Sequence, residues 1–241
     1  MKRTLIISIL LFFAGIIDIS AQKGFSIGIG GNYNAIFILN QNTYGLSELD
    51  YKPSTAGALN LGLGYNFSNW LGLKMEAGYM RMGQQYYDNK NNPVVTRKIQ
   101  LNYVNVPLML RMSVGGKVLR FYGAVGPQFA FLTSAKQDYL KNGVPLPKFY
   151  NAEINDSIDV SKNDIKDRYQ SMDIMARIDL GIDIIFFKHL AFNFGLSTAY
   201  GLTDINASAW RFKDNKGEYK PSHNLYGGLN FGLRYCFGSF D

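Results

Sequence analysis

The 241-residue sequence predicts an all-β protein, an eight-stranded antiparallel up-and-down transmembrane β-barrel. Three observations lead there. Apolar and polar residues alternate with a period of two through eight separate segments. The connections between those segments are alternately short and long, as up-and-down strands require. Hydrophobic residues make up 47% of the chain and charged residues 18%, yet the mean hydropathy is −0.08. A helical membrane protein would need runs of about 20 apolar residues, whereas a barrel hides its apolar surface by alternation.

The first 21 residues read as a cleaved secretory signal peptide, leaving residues 22–241 as one barrel domain. Lys2 and Arg3 form the positive start, residues 4–17 an apolar stretch too short to span as a helix, and Ala21 a small residue at the cleavage position. Removing Lys2, Arg3 and Asp18 takes the net charge from +7 to +6. That modest basicity, without a basic cluster interleaved with aromatics, argues against a nucleic-acid partner. Cys236 is the only cysteine, so neither a disulfide framework nor a thiolate metal site is expected.

Strands are expected over 25–37, 55–67, 71–83, 99–114, 118–133, 171–186, 190–203 and 224–237. The sixth is the cleanest. Its even positions run Met172, Ile174, Ala176, Ile178, Leu180, Ile182 and Ile184, against Asp173, Met175, Arg177, Asp179, Gly181 and Asp183. Tight turns at 68–70, 115–117 and 187–189 would lie on the periplasmic side with both termini. Long loops at 38–54, 84–98, 134–170 and 204–223 would lie outside.

A soluble barrel also alternates, so the polar phase decides. In the second segment it is Ala56, Ala58, Asn60, Gly62, Gly64 and Asn66. These small residues suit a crowded eight-strand interior rather than a water-facing surface. The apolar phase carries no charge in mid-span, as contact with lipid demands. Aromatics gather at segment ends. Phe67, Trp70, Phe121, Phe186, Phe187, Phe192, Tyr235 and Phe237 would form a periplasmic belt, and Tyr79, Tyr103, Phe131 and Tyr200 an outer one.

Nine charges fall in the inward phase: Lys74, Glu76, Arg111, Arg120, Asp173, Arg177, Asp179, Asp183 and Arg234. Most lie within about six residues of the periplasmic end and would share one layer at about 3.3 Å per residue. An ionic plug is favoured over a proton or ion relay. Strand order places Arg111 to reach Glu76, and Arg120 to reach Asp183 or Asp179, with Arg234 completing the network.

No catalytic, cofactor-binding or metal-ligating residues are assigned, and no cofactor is expected. His189 falls in a periplasmic turn. His223 stands beside Ser222 and near Ser208 or Asp204, with no motif around it. Gly28-Ile29-Gly30-Gly31 lacks the following helix that a phosphate loop needs. The 134–170 loop is the expected interaction surface. It contains Ser161-Lys162-Asn163-Asp164-Ile165, which reads as a helix start, and Asp156-Ser157-Ile158, which resembles an O-glycosylation triplet of Bacteroidota.

The run from Asn230 to Phe237 (Asn-Phe-Gly-Leu-Arg-Tyr-Cys-Phe) resembles the C-terminal β-signal of outer-membrane barrels. That resemblance implies the barrel-assembly machinery as a partner. Tyr103-Val104-Asn105-Val106-Pro107-Leu108-Met109-Leu110, Phe121-Tyr122-Gly123-Ala124-Val125-Gly126-Pro127 and Tyr200-Gly201-Leu202-Thr203-Asp204-Ile205 are similar to the PorT-like outer-membrane β-barrel family of Bacteroidota. The similarity implies an outer-membrane location and no defined catalytic residues. Name-giving members are accessories of type IX secretion. The expectation is therefore a non-enzymatic barrel that meets membrane lipid and envelope proteins through its loops. A small transport or secretion-associated barrel is the alternative, and an outer-leaflet hydrolase the third reading.

Overall fold

A computed structural model describes residues 23–39, 50–88, 94–151, 156–213 and 217–238. The 1–21 signal segment lies outside the described residues. Eight long strands are present: β1 Gly24–Leu39, β2 Ser54–Asn66, β3 Leu71–Asp88, β4 Val95–Gly115, β5 Leu119–Lys141, β6 Met172–Phe187, β7 Leu190–Gly201 and β8 His223–Cys236. Each pairs antiparallel with its neighbours in sequence, and β1 pairs β8 from Ser26 opposite Cys236 to Leu39 opposite His223. The sheet is therefore closed, and every strand of the ring has both edges satisfied.

The alternation has the expected sense. Phe25, Ile27 and Ile29 on β1 and Leu59, Leu61 and Leu63 on β2 are all about half exposed or more, whereas Ser26, Asn32 and Asn34 are buried. The small inward residues let the backbones crowd together. Gly30 stands opposite Gly232 across the β1–β8 seam. A Cβ on Gly30 would lie 2.9 Å from the Phe231 carbonyl oxygen, and one on Gly232 2.7 Å from Asn193 Oδ1.

Three strands outrun their expected ends. β3, β4 and β5 are 18, 21 and 23 residues long, against 13 for β2. At about 3.3 Å per residue and 45° tilt, roughly 11 residues cross a 25 Å apolar band, so these strands continue as a sheet outside it. Asp50–Lys52 adds to the edge of β3 and Val144–Pro145 to that of β5. Lys148–Asn151 and Asp156–Asp159 form a separate hairpin.

The long outer segment thus carries strands rather than the expected helix. At 161–165 there is no helix; a single 3-10 turn follows at Lys166–Arg168. The reason is local: Asp159 Oδ1 engages both the amide and the hydroxyl of Ser161, at 2.9 and 2.6 Å, while Asp164 caps the amide of Lys166 at 3.0 Å. The Ser161 side chain therefore does not cap a helix of its own.

The core is the barrel interior. In its outer half, inward Ile36, Ile38, Met80, Met82, Leu101, Tyr103 and Met175 form one buried apolar cluster. Ile165, Tyr169 and Ile205 enter the same cluster from the outer loops. Tyr103 therefore belongs to the core and not to the outer aromatic belt. It is only 1% exposed, because its odd number puts it in phase with inward Leu101, Asn105 and Arg111.

Candidate functional site

The inward charges, Asp173 excepted, sit below that apolar cluster. All nine predicted positions face the lumen, and seven of them are at most 6% exposed: Glu76, Arg111, Arg120, Asp173, Arg177, Asp179 and Asp183. Ionised groups so deeply enclosed need partners. Two clusters supply them. In the first, Arg177 reaches Glu76 at 3.0 Å and grips Asp179 with two bonds, Nε at 2.8 Å and an amino nitrogen at 2.9 Å. Lys74 adds a 2.7 Å contact to Glu76, and the Ser197 hydroxyl donates to Asp179 at 2.7 Å. In the second, Arg111 and Arg234 converge on Asp183 Oδ2 at 2.6 and 2.8 Å. The Arg111 guanidinium also stacks 4.0 Å from the centre of the Tyr122 ring.

The layer is where the sequence places it, but the expected pairing is wrong. Arg111 bonds Asp183, not Glu76. Arg120 stands directly opposite Asp183 in the β5–β6 register, yet its guanidinium donates to the Asn69 carbonyl in the β2–β3 turn. Reasoning from adjacent strands fails because the lumen is narrow: a long arginine crosses it more readily than it folds back onto a neighbour.

Asp173 stands apart, near the outer end, where it accepts from Thr203 at 2.6 Å and Asn224 at 2.9 Å. Between the two levels, the Tyr226 hydroxyl donates to Gln128 at 2.9 Å. Opposite the arginines, the wall is made of Gly28 and Gly30 on β1 and Gly62 and Gly64 on β2. A cavity of about 50 Å³ remains there, room for a few waters and no more.

The outer mouth is roofed. The segment around 163–170 pairs with the top of β5 on one side, through Ile165 N to Ala135 O at 3.0 Å. On the other it meets the 202–222 loop, through Gln170 N to Ile205 O at 2.8 Å. Asp204 organises that second loop. Its carboxylate accepts from the amides of Asn206 and Ser222, both at 3.1 Å, from the Tyr219 hydroxyl at 2.7 Å and from Arg211 at 2.8 Å. Burial pushes the Tyr219 hydroxyl up to about 12, and its contact with the Asp204 carboxylate adds to the shift.

Ser222 and His223, neighbours in sequence, are not brought together as a reacting pair. The Ser222 hydroxyl accepts from Asn206 at 2.9 Å, and His223 Nδ1 lies 3.1 Å from the Thr203 carbonyl with its ring stacked on Tyr200. His189 Nδ1 lies 3.1 Å from the Cys236 carbonyl at the periplasmic rim. Among the described residues, no group of His, Cys, Asp and Glu is arranged to hold a metal.

Two buried cations escaped the sequence reading. Arg97 is 1% exposed and donates to Gln137 at 3.0 Å inside the outer sheet. Arg168 is 4% exposed, donates to the Asp159 carbonyl at 2.8 Å and stacks 4.4 Å from the Trp210 ring centre. Arg97 was findable, since it continues the inward odd phase of β4. Arg168 lies in a loop, where no periodicity points to it.

Residues 20–207 match the family model described as outer membrane protein beta-barrel domain. No curated protein matches. Solved structures similar to this chain include the outer membrane protein OprG of Pseudomonas aeruginosa, 12% identical over 90% of this chain and 97% of that one, with a TM-score of 0.45. Neisserial surface protein A is 11% identical over 90% and 99%, with a TM-score of 0.44. The attachment invasion locus protein Ail of Yersinia pestis, in complex with the heparin analogue sucrose octasulfate, is 13% identical over 88% and 99%, with a TM-score of 0.40.

Proposed function

We propose that this chain, which belongs to the outer membrane protein beta-barrel domain family, is a closed, non-enzymatic barrel that acts through its extracellular face, as a binding surface or as an accessory of an envelope complex. The observation that carries this reading is the filled lumen. Ion pairs occupy its periplasmic half, an apolar cluster its outer half, and the loops roof the mouth. A 50 Å³ cavity weighs against the transport alternative. The separate bonding of Ser222 and His223 weighs against the hydrolase reading.

The similarity of the 103–110, 121–127 and 200–205 segments to PorT-like barrels supports an accessory role in type IX secretion as the finer form of this proposal. Cleavage after Ala21 and recognition of the last strand by the barrel-assembly machinery complete it. Purified mature protein in planar bilayers should show no steady conductance. Native envelopes should yield it in the outer-membrane fraction, heat-modifiable on gels and together with envelope proteins. Stable open channels would replace this reading with the transport one.

A further inference from the structure

The outward faces of the strands are not alike above the apolar band. On β6, β7, β8, β1 and β2, the outward residues near the outer border are Met172, Tyr200, Leu225, Phe37 and Thr55, all uncharged. On β3–β5 the band ends at Tyr79, Val104 and Phe131; Arg81 comes next on β3, while Asn102 and Gln100 precede Lys98 on β4 and Thr133 precedes Lys136 on β5. Arg81 is exposed and shares a 3.5 Å contact with Asn102 across the β3–β4 pair. One step higher, Gly83, Gln100 and Lys136 stand in register; the next row is Gln85, Lys98 and Asp138.

Gly83 contributes no side chain to the middle row, and a Cβ there would strike the Ile99 carbonyl oxygen. Its φ of +148° is open to glycine and strained for other residues. The bare position separates Arg81 from Gln85 on the outward face. Above it a groove of about 260 Å³ is lined by Lys52, Gln85, Tyr87, Lys98 and Leu140, among others. Among the described side chains, Asp138, which lines the groove opposite Lys98, and Asp164 border this face, and each accepts a hydrogen bond. Asp138 accepts from Asn163 at 2.9 Å, and Asp164 from the Lys166 amide at 3.0 Å.

Cations gathered above a lipid-facing apolar strip, at the outer ends of three neighbouring strands, match a ligand with acyl chains below and phosphates above. We propose that this face of β3–β5 holds a phosphorylated glycolipid of the outer leaflet. Its acyl chains lie against Tyr79, Val104 and Phe131, and its sugar phosphates over Arg81, Lys98 and Lys136. The proposal rests on the outer-membrane reading above, since that reading sets which side of the membrane the patch faces.

The test uses purified mature barrel in non-ionic detergent, with fluorescent lipid A titrated against the wild type and against the triple variant Arg81→Gln, Lys98→Gln, Lys136→Gln. Binding to the variant should be at least ten-fold weaker, and wild-type binding should weaken as salt is raised. A variant with Lys117→Gln and Lys188→Gln, at the periplasmic turns, should bind like wild type. A neutral diacyl galactolipid should bind at least ten-fold more weakly than lipid A. Equal affinity of the triple variant, or of the galactolipid, would overturn the proposal. So would displacement of lipid A by millimolar inorganic phosphate alone, which would mark a free-phosphate site. Heat-modifiable mobility of each variant shows that it is folded. A folded barrel that ignores lipid A sinks this inference alone, whereas absence from the outer membrane sinks the reading beneath it.

Discussion

The guanidinium of Arg177 meets the carboxylate of Glu76 at 3.0 Å across the lumen, although 101 residues separate them in the chain. Arg177 also holds Asp179, so it bridges two carboxylates at once, with Lys74 supplying the second positive charge. Arg177→Met should therefore destabilise the barrel by roughly 3–5 kcal/mol. Glu76→Gln should cost less, about 1–3 kcal/mol, because Arg177 keeps Asp179. Guanidinium unfolding in micelles, followed by gel mobility, measures both. Equal losses would mean that the Asp179 contact of Arg177 adds nothing to stability.

Asp183 is shared by Arg111 and Arg234. Asp183→Asn should leave the buried Arg111 and the partly buried Arg234 without their shared anion and cost roughly 3–5 kcal/mol. Combining it with Arg111→Met should recover part of that loss, a coupling of about 0.5–3 kcal/mol in a double-mutant cycle. Strict additivity would show that the pair is solvated and contributes little.

Arg120 braces a turn rather than a carboxylate. Arg120→Ala should cost about 1–3 kcal/mol, less than Asp183→Asn. It should also speed amide exchange at Ser68 and Leu71, whose amides bond within the β2–β3 turn. Unchanged exchange there would place the Arg120 contribution elsewhere.

These three cases mark what could be read from the chain. The strands and the inward set of charges were legible because period-two patterning is a property of each segment alone. The charge pairing was not, because it depends on the width of a closed ring, which no single strand encodes. The outer end of β5 was hidden by a bulge. The register shifts between Asn102 and Tyr103, so β5 turns even positions inward through Leu132 and odd positions from Ala135 onward. A reader following one phase loses the strand at that point. The roof over the mouth, including Arg168 on Trp210, rests on loop contacts with no period at all.

Gly232 lies where β8 meets β1 and β7. Gly232→Ala would bring a methyl within 2.7 Å of Asn193 Oδ1 and 2.9 Å of the Ile29 carbonyl oxygen. The yield of heat-modifiable protein should fall several-fold, while Gly116→Ala, in the open β4–β5 turn with nothing within 4 Å, should leave it unchanged. Normal yield of Gly232→Ala would show that the seam has slack.

The roof should loosen in alkali. Tyr219 is pushed up to about 12 in the fold, above the ordinary value near 10. Its stabilising effect is complete below about pH 10 and is lost as pH rises through the folded value. In spectrophotometric titration, Tyr219→Phe should remove one tyrosine from those that ionise late. Proteolytic nicking of the 202–222 loop should increase over the same range in wild type. A titration curve that Tyr219→Phe leaves unchanged would refute the assignment.

The pairing of Gly30 with Gly232 at the β1–β8 seam has a consequence for register. A one-residue slip there would turn Leu233 inward and Arg234 toward lipid, and is forbidden by the alternation itself. A two-residue slip keeps every residue on its proper face, and Gly28 and Gly30 on β1 and Gly232 on β8 present no side chains to oppose it. Such a slip would carry Arg234 about 6.6 Å along the strand, away from the carboxylate of Asp183 that it now meets at 2.8 Å. The ion pair thus acts as a detent, distinguishing the one correct closure from its nearest look-alike when the two ends of the chain come together.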